Sequence, residues 1–166
     1  ETAHVPGAYL THLNAILAPL LPTGQFATMF YGVIDQRNQC LRYATAASTP
    51  PLLFQKGGAQ YTTLASEGML LGAFPASHYP TREIPFTPGD CLMLYSDALT
   101  ETPNEHGAML PLDRAASIFQ TALQRTPNDS RQAMQSLLLH FHAHHAAALC
   151  DDLTLSVYGY PSHPDD

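Results

Sequence analysis

The stretch Leu-Tyr-Ser-Asp-Ala-Leu-Thr-Glu, residues 94–101, places an acidic side chain at the end of a predicted buried strand. The apolar run Cys91–Tyr95 indicates the strand, and Asp97 follows it after a single serine. In the stretch Asp-Asp-Leu-Thr-Leu, residues 151–155, the acidic residue comes before the strand. Asp151 precedes a segment in which polar and apolar residues alternate, as in a half-buried strand. Both carboxylates therefore lie at predicted strand ends, where the strand fixes the backbone and the side chain can point into a cleft.

These two aspartates have two interpretations. Strand-end carboxylates suit hard, oxygen-liganded ions such as Mg²⁺ or Mn²⁺, and a pair of such ions can activate a shared water for attack on phosphorus. Alternatively, Asp97 starts an Asx-type turn and Asp151 caps a strand, with both side chains solvated and chemically inert. The residue pattern alone leaves both interpretations open.

The order of predicted elements indicates an α+β fold. Helices follow from a 3.6-residue apolar period, and strands follow from β-branched or apolar runs bounded by turn residues. The predicted elements are helices at 7–21, 112–123 and 130–148, hairpins within 26–46 and 52–64, and strands at 82–86, 91–95 and 152–158. Because hairpins dominate and no alternation of strand and helix appears, we expect antiparallel sheets with helices packed on their faces.

Composition narrows the classes of function. The 166 residues are 45% hydrophobic, which suits one compact domain, and the formal net charge of −7 with only 7 Lys and Arg argues against a nucleic-acid partner. The three cysteines match no metal or redox spacing, so we expect buried thiols in a reducing compartment. No apolar run approaches the roughly 20 residues of a membrane-spanning helix, so we expect a soluble, cytoplasmic domain.

Four histidines cluster near the end of the last predicted helix. They are His140, His142, His144 and His145. His140 and His144 stand one helical turn apart, as zinc ligands can, but no HExxH spacing occurs and no Cys, Asp or Glu partner sits at motif distance. Because a helix C-terminus favours histidine, a solvated helix end is the preferred interpretation over a zinc site.

Seven segments resemble, in order, successive motifs of the SpoIIE-like branch of the protein phosphatase 2C superfamily. They are Leu13-Asn14, 26–31, 43–51, Leu71-Gly72, 88–90, 94–101 and 151–155. The match covers most of the chain. The resemblance implies an α-β-β-α sandwich of antiparallel sheets flanked by helices. It also implies a dinuclear Mn²⁺ or Mg²⁺ site, at which a metal-bound water removes phosphate from phosphoserine or phosphothreonine.

The resemblance assigns roles to four acidic residues. Asp97 matches the metal ligand of the family's Tyr-Thr-Asp-Gly-hydrophobic-x-Glu segment, and Asp151 matches the first Asp of its Asp-Asp-hydrophobic-Thr segment. Asp152 is the weaker candidate because neighbours in a strand point to opposite faces. Glu101, also shared with the family, either supports the cleft behind the ligands or faces water.

Three departures from the family pattern bear on activity. The family's upstream Gly-Asp and Asp-Gly segments, which carry further metal ligands, precede its Leu-Asn helix, and this chain starts at that helix. Ala98 replaces the glycine after the ligand; if the position needs a positive φ, alanine carries strain of about 1 to 2 kcal/mol. The Asn-Ala-Gly-His-x-Pro stretch reads Thr-Ala-Ala-Ser-Thr-Pro at 45–50, so it lacks both the glycine and the histidine.

These features set expectations for the whole protein. Residues 1–159 form the C-terminal portion of one phosphatase-like domain, and 160–166 form a frayed tail. The family resemblance implies a phosphorylated regulatory protein of the anti-sigma antagonist type as partner, and a receiver or sensor domain fused upstream. The alternative is a degenerate domain, weakly active or inactive, that serves as a regulatory protein-binding module.

Overall fold

The structure, a computed structural model, describes residues 2–65, 67–126, 129–144, 149 and 151–161. Its helices are α1 (Pro6–Leu17), α2 (Ala98–Glu101), α3 (Leu112–Arg125) and α4 (Ser130–His144). Its strands are β1 (Met29–Asp35), β2 (Cys40–Ala46), β3 (Leu52–Gln55), β4 (Gln60–Thr63), β5 (Arg82–Pro85), β6 (Cys91–Tyr95) and β7 (Leu155–Gly159). All strand pairs are antiparallel, which confirms the predicted α+β class.

The chain divides into two compact units. The first comprises Glu1–Pro50 and Ala65–Thr87, and the second comprises Pro51–Leu64 and Pro88–Asp166. No helix in the described part of the chain has the length and apolar character needed to cross a bilayer.

The first unit packs α1 on a three-stranded sheet of order β1-β2-β5. Pro6 suits the first turn of α1 because its missing N–H would have no helical partner there. Gly7 lies so close to the backbone carbonyl of Tyr79 that a Cβ at this position would collide with it. The helix meets the sheet through Leu10 and Ala44, both fully buried.

Asn14 connects α1 to the loop that follows residue 71. Its side chain is fully buried, and Oδ1 accepts a hydrogen bond of 2.8 Å from the Gly72 N–H. Its Nδ2 donates to the carbonyl oxygens of Phe74 at 2.9 Å and Pro75 at 3.3 Å. One buried amide side chain therefore satisfies three backbone groups of this loop.

The second unit packs α3 and α4 on a four-stranded sheet of order β4-β3-β6-β7. Its core includes Phe54, Met93, Phe119 and Phe141, all fully buried. The rings of Phe54 on β3 and Phe119 on α3 lie with centroids 4.8 Å apart, so an aromatic pair links sheet and helix.

The predicted hairpin turn between β3 and β4 is confirmed. Lys56, Gly57 and Gly58 have φ values of 50°, 63° and 89°. Two glycines at such positions avoid the cost that a side chain pays in the left-handed region.

Two predicted boundaries were wrong. The first helix ends at Leu17 instead of residue 21, because Pro19 has no N–H with which to continue the helical bonds. The last strand begins at Leu155 instead of 152, because the Ser96 side chain hydrogen-bonds the backbone of Asp152 and Thr154. Helix α4 is described to His144, so the predicted extension to 148 lies outside the described residues.

Candidate metal-binding strand ends

The last residue of β6 lies beside the first residue of β7, and the two aspartates flank this point. They pair antiparallel from Cys91↔Gly159 to Tyr95↔Leu155. Asp97 lies two residues after β6, and Asp151 lies four residues before β7. Because the strands are antiparallel, the C-terminal end of β6 and the N-terminal end of β7 lie side by side. The two predicted ligands therefore follow and precede neighbouring strand ends.

Ser96 joins these two segments beyond the last paired residues. Its N–H donates to the Thr154 carbonyl oxygen at 2.9 Å, and its Oγ donates to the Asp152 carbonyl oxygen at 2.8 Å. The same Oγ accepts from the Thr154 N–H at 2.9 Å. The segment before β7 is thereby held beside the residue that precedes Asp97.

Both aspartate side chains are exposed. Asp97 starts the turn into α2, and its carbonyl oxygen accepts from the N–H groups of Thr100 at 2.9 Å and Glu101 at 2.8 Å. Its carboxylate makes no capping hydrogen bond to that helix. The Asp151 Oδ1 accepts from the Asp152 N–H at 2.7 Å. Carboxylate oxygens thus remain available at both positions for an oxygen-liganded cation.

Ala98 does not carry the strain that a positive φ would impose. It opens the short helix α2, is almost fully buried, and is not among the residues with positive φ. The replacement of the family's glycine therefore fits the local backbone. Glu101 is exposed at the end of the same helix, which agrees with the water-facing interpretation.

The strained alanine is Ala47, in the first unit. It has φ 51°, a left-handed conformation that costs an alanine about 1 to 2 kcal/mol, and its N–H donates to the Gly68 carbonyl oxygen at 3.0 Å. This is the position at which the family pattern has glycine. Next to it, the Ser48 Oγ is buried without a hydrogen-bond partner in the described part of the structure.

The histidine cluster gives no support to a zinc site. The rings of His140 and His144 stack with centroids 4.1 Å apart, and His144 Nδ1 lies 2.9 Å from the His140 carbonyl oxygen. His145 lies outside the described residues. Over the described ranges, no group of three or more His, Cys, Asp or Glu residues is arranged to hold a metal ion.

The cysteine thiols are core groups. Burial raises the pKa of the Cys91 thiol to about 12, and burial together with nearby Glu83 and Asp35 also raises the pKa of Cys40. Both thiols therefore stay protonated at neutral pH, which excludes them as thiolate nucleophiles. Cys150 lies outside the described residues.

Comparison with known proteins decides the family. A family model described as Stage II sporulation protein E (SpoIIE) matches residues 1–160. The chain belongs to the SpoIIE family. Its members form the SpoIIE-like branch of the protein phosphatase 2C superfamily, so the predicted family is confirmed. The motifs of this SpoIIE-family chain at 94–101 and 151–155 coincide with the two strand ends described above.

Individual relatives agree with this assignment. Phosphoserine phosphatase RsbU of Bacillus subtilis is 27% identical over 107 residues, which are 64% of this chain and 32% of RsbU. The SiaA-PP2C domain of Pseudomonas aeruginosa superposes with a TM-score of 0.76 at 20% identity, over 94% of this chain and 61% of that one. A manganese-presoaked SpoIIE phosphatase domain of B. subtilis gives a TM-score of 0.64 at 17% identity, over 93% and 66%.

The chain covers only part of the length of these relatives. The chain spans about a third of RsbU and less than two thirds of the SiaA domain. The structural likenesses show the protein phosphatase 2C-like fold.

Sequence reasoning placed Ser96 and Asn14 inside family motifs but gave neither a role. Each makes hydrogen bonds to residues about 60 positions away in the chain, with separations of 56 to 61. The only local signal is a small polar residue next to an apolar run, which surface residues also show.

Proposed function

We propose that this chain is the C-terminal portion of a metal-dependent protein serine/threonine phosphatase domain, in which Asp97 and Asp151 hold Mn²⁺ or Mg²⁺. The observation that carries the proposal is the hydrogen bonding of Ser96 to the segment that precedes β7. It fixes two exposed, acidic strand ends to each other, and both lie in family motifs that supply metal ligands. Family membership supports the hydrolytic class of the reaction.

The residues present fit part of a hard-cation site. Asp97 and Asp151 supply carboxylate oxygens that no capping interaction of α2 occupies. A Mg²⁺ or Mn²⁺ ion is commonly held by one or two carboxylates together with water and substrate phosphate. Such an ion, when bound, supplies charge neutralisation at the phosphate and acidifies water. The remaining ligands of a dinuclear centre would come from outside the residues named here.

The chain's own contribution is to position the acidic groups. Ser96 holds the backbone of Asp152 and Thr154, so the approach to β7 is fixed before any ligand arrives. The turn into α2 fixes Asp97 through the two N–H bonds to its carbonyl oxygen. Fixing these carboxylates in advance reduces the ordering cost of binding a cation and an anionic substrate.

The proposed substrate is phosphoserine or phosphothreonine on a regulatory protein of the anti-sigma antagonist type. The name of RsbU, a phosphoserine phosphatase, supports the phosphoserine part, and the type of regulatory protein rests on the family resemblance. A receiver or sensor domain fused upstream would control access to this site. Both statements concern the full-length protein.

Hydrolysis of a phosphoserine peptide by the full-length protein in Mn²⁺ tests the proposal. Asp97→Asn and Asp151→Asn should each lower kcat/KM at least about 100-fold, because each removes a cation ligand. Asp152→Asn is the matched control, since it alters the neighbouring carboxylate while keeping the backbone N–H that bonds Asp151. Activity unchanged in both ligand variants would refute the assigned roles.

A regulatory binding module without hydrolysis is the second candidate. Two observations favour it. Ala47 is strained at the family's glycine position, and Ser48 Oγ, at its histidine position, is buried without a hydrogen-bond partner among the residues that the structure describes. The discriminating result is binding of a phosphorylated partner without release of phosphate in Mn²⁺. Restoring Gly and His at these two positions should then raise hydrolysis.

A further inference from the structure

A polar groove of about 400 Å³ runs between α3 and α4 in the second unit. Two arginines, Arg114 and Arg125, line it from the two ends of α3, and the partly buried Ile118 and the buried Ala122 form its apolar floor. Polar side chains of α4, among them Gln132, line the opposite wall. The groove takes no part in the arrangement of Asp97 and Asp151.

The charge of this helix pair opposes that of the chain. Three of the seven Lys and Arg residues lie on α3 and α4, whereas only one of the 14 Asp and Glu residues does. The pair therefore has a formal charge of +2 with histidine neutral, in a chain of net charge −7. The acidic residues nearby do not line the groove: Asp113 accepts from the Tyr61 hydroxyl at 3.2 Å, and Asp129 accepts from the Gln132 N–H at 2.9 Å.

Neither arginine of the groove forms an ion pair within the described part of the chain. They are 11 residues apart on one helix, so they lie on the same face, about 16 Å apart along its axis. That separation is too large for one phosphate or carboxylate to contact both guanidinium groups. An extended peptide advances about 13 Å in four residues, at roughly 3.3 Å per residue, and side chains four residues apart point to the same face. The flexible arginine side chains reach across the remaining few ångströms.

We infer that the α3–α4 groove binds an extended acidic segment of a partner protein, with carboxylates four residues apart pairing with Arg114 and Arg125. Arginine suits this role because its planar guanidinium bonds a carboxylate through two N–H groups. The low charge density of such a segment also suits a chain whose overall charge repels polyanions.

The walls offer partners for the peptide backbone between the two carboxylates. The Thr121 hydroxyl donates to the Ser117 carbonyl oxygen at 2.7 Å, and the Ser136 hydroxyl donates to the Gln132 carbonyl oxygen at 2.9 Å. With their protons engaged in the helices, both hydroxyl oxygens keep lone pairs that can accept from peptide N–H groups. The Gln132 side chain adds an amide that can donate and accept.

Fluorescence anisotropy with a labelled five-residue peptide tests this inference. The peptide has blocked ends and Glu at its first and last positions, and the reference peptide has Gln at both. The Glu peptide should bind the protein at low salt, and Arg114→Gln and Arg125→Gln should each weaken its binding by about fivefold, the range of an exposed ion pair. All variants should unfold at the same temperature as the original protein, because both arginines are exposed.

Two controls separate a built groove from general charge attraction. Arg131→Gln removes an exposed cation of α4 that does not line the groove, so it should leave binding unchanged. A peptide of equal charge with both Glu residues adjacent should bind more weakly than the spaced peptide. The inference would be overturned if Arg131→Gln weakened peptide binding as much as the two groove variants do. It would also be overturned if the spaced and the adjacent Glu peptides bound with equal affinity. Tighter binding of a short DNA duplex through the same arginines would overturn the choice of an acidic peptide.

Discussion

Ser96 and Thr154 exchange two hydrogen bonds, one from the Ser96 N–H to the Thr154 carbonyl oxygen at 2.9 Å and one from the Thr154 N–H to Ser96 Oγ at 2.9 Å. The hydroxyl also donates to the Asp152 carbonyl oxygen at 2.8 Å. A single side chain thus connects the segment after β6 to the segment before β7. The proposed metal ligands belong to those two segments.

Replacing Ser96 by alanine should affect both stability and cation binding. Loss of the Oγ bonds lowers the free energy of unfolding by about 1 kcal/mol, measured by urea denaturation. Mn²⁺ affinity should fall as well, because the segment carrying Asp151 loses the two Oγ hydrogen bonds and keeps only the bond from the Ser96 N–H. Ser156→Ala, exposed on β7, is the control and should change neither quantity. Unaltered Mn²⁺ affinity in Ser96→Ala would show that the link does not organise the site.

Glycine substitutions at two alanines should have opposite effects. Ala47→Gly relieves the φ of 51° and should raise the free energy of unfolding by about 0.5 to 1 kcal/mol, after the entropy of glycine is subtracted. Ala98→Gly should lower it by about 1 kcal/mol, because this buried alanine has no positive φ and opens a helix. Urea denaturation measures both changes in the free energy of unfolding. If the two changes had the same sign, they would contradict the assignment of a positive φ to Ala47 and not to Ala98.

These alanines show what the sequence could and could not predict. Comparison with the family pattern identified both as glycine replacements, but it attached the strain to Ala98. Whether a position needs a positive φ depends on the turn around it, and that turn is set by tertiary pairing such as the Ala47 N–H bond to Gly68. The Gly57-Gly58 turn was predictable because two adjacent glycines between apolar runs indicate a hairpin turn without any information from distant residues.

Asn14→Ala should destabilise the protein by about 3 kcal/mol, because it leaves the Gly72 N–H and the Phe74 and Pro75 carbonyl oxygens without their buried partner. Urea denaturation measures the loss. The control is His12→Ala, exposed on the same helix, which should cost far less. Similar losses for the two variants would mean that water replaces the Asn14 bonds.

The stability contributed by Asp35 should depend on pH. Hydrogen bonds from the Asn38 side chain and backbone, with the nearby Arg42 guanidinium, hold the pKa of Asp35 below its ordinary value of 3.8. A lowered pKa in the folded state stabilises the protein above the unfolded-state pKa, and this contribution is lost as pH falls through the folded-state pKa. Asp35→Asn should therefore be less stable than the original protein at pH 7, with the difference shrinking below pH 3.8.

Urea denaturation at several pH values measures this difference. Glu105→Gln, at an exposed position, is the control and should show no comparable pH-dependent difference. If the difference in the free energy of unfolding between Asp35→Asn and the original protein stayed constant over the acidic range, this would argue against a lowered pKa of Asp35.

The candidate site was predictable in part for a physical reason. Asp97 and Asp151 stand next to apolar strands, and strand ends can be located from hydrophobic patterning. Ser96 could not be assigned its role, since its partners lie 56 and 58 residues away and no local pattern specifies such contacts. The short helix α2 was missed because four residues are too few for an apolar period to appear.

Calorimetric titration of the full-length protein with Mn²⁺ measures whether Asp97 and Asp151 hold the metal. Asp97→Asn and Asp151→Asn should each weaken Mn²⁺ binding at least about tenfold, while Asp152→Asn should bind like the original protein. Mn²⁺ affinity unchanged in both ligand variants would contradict the claim that these strand ends hold the metal.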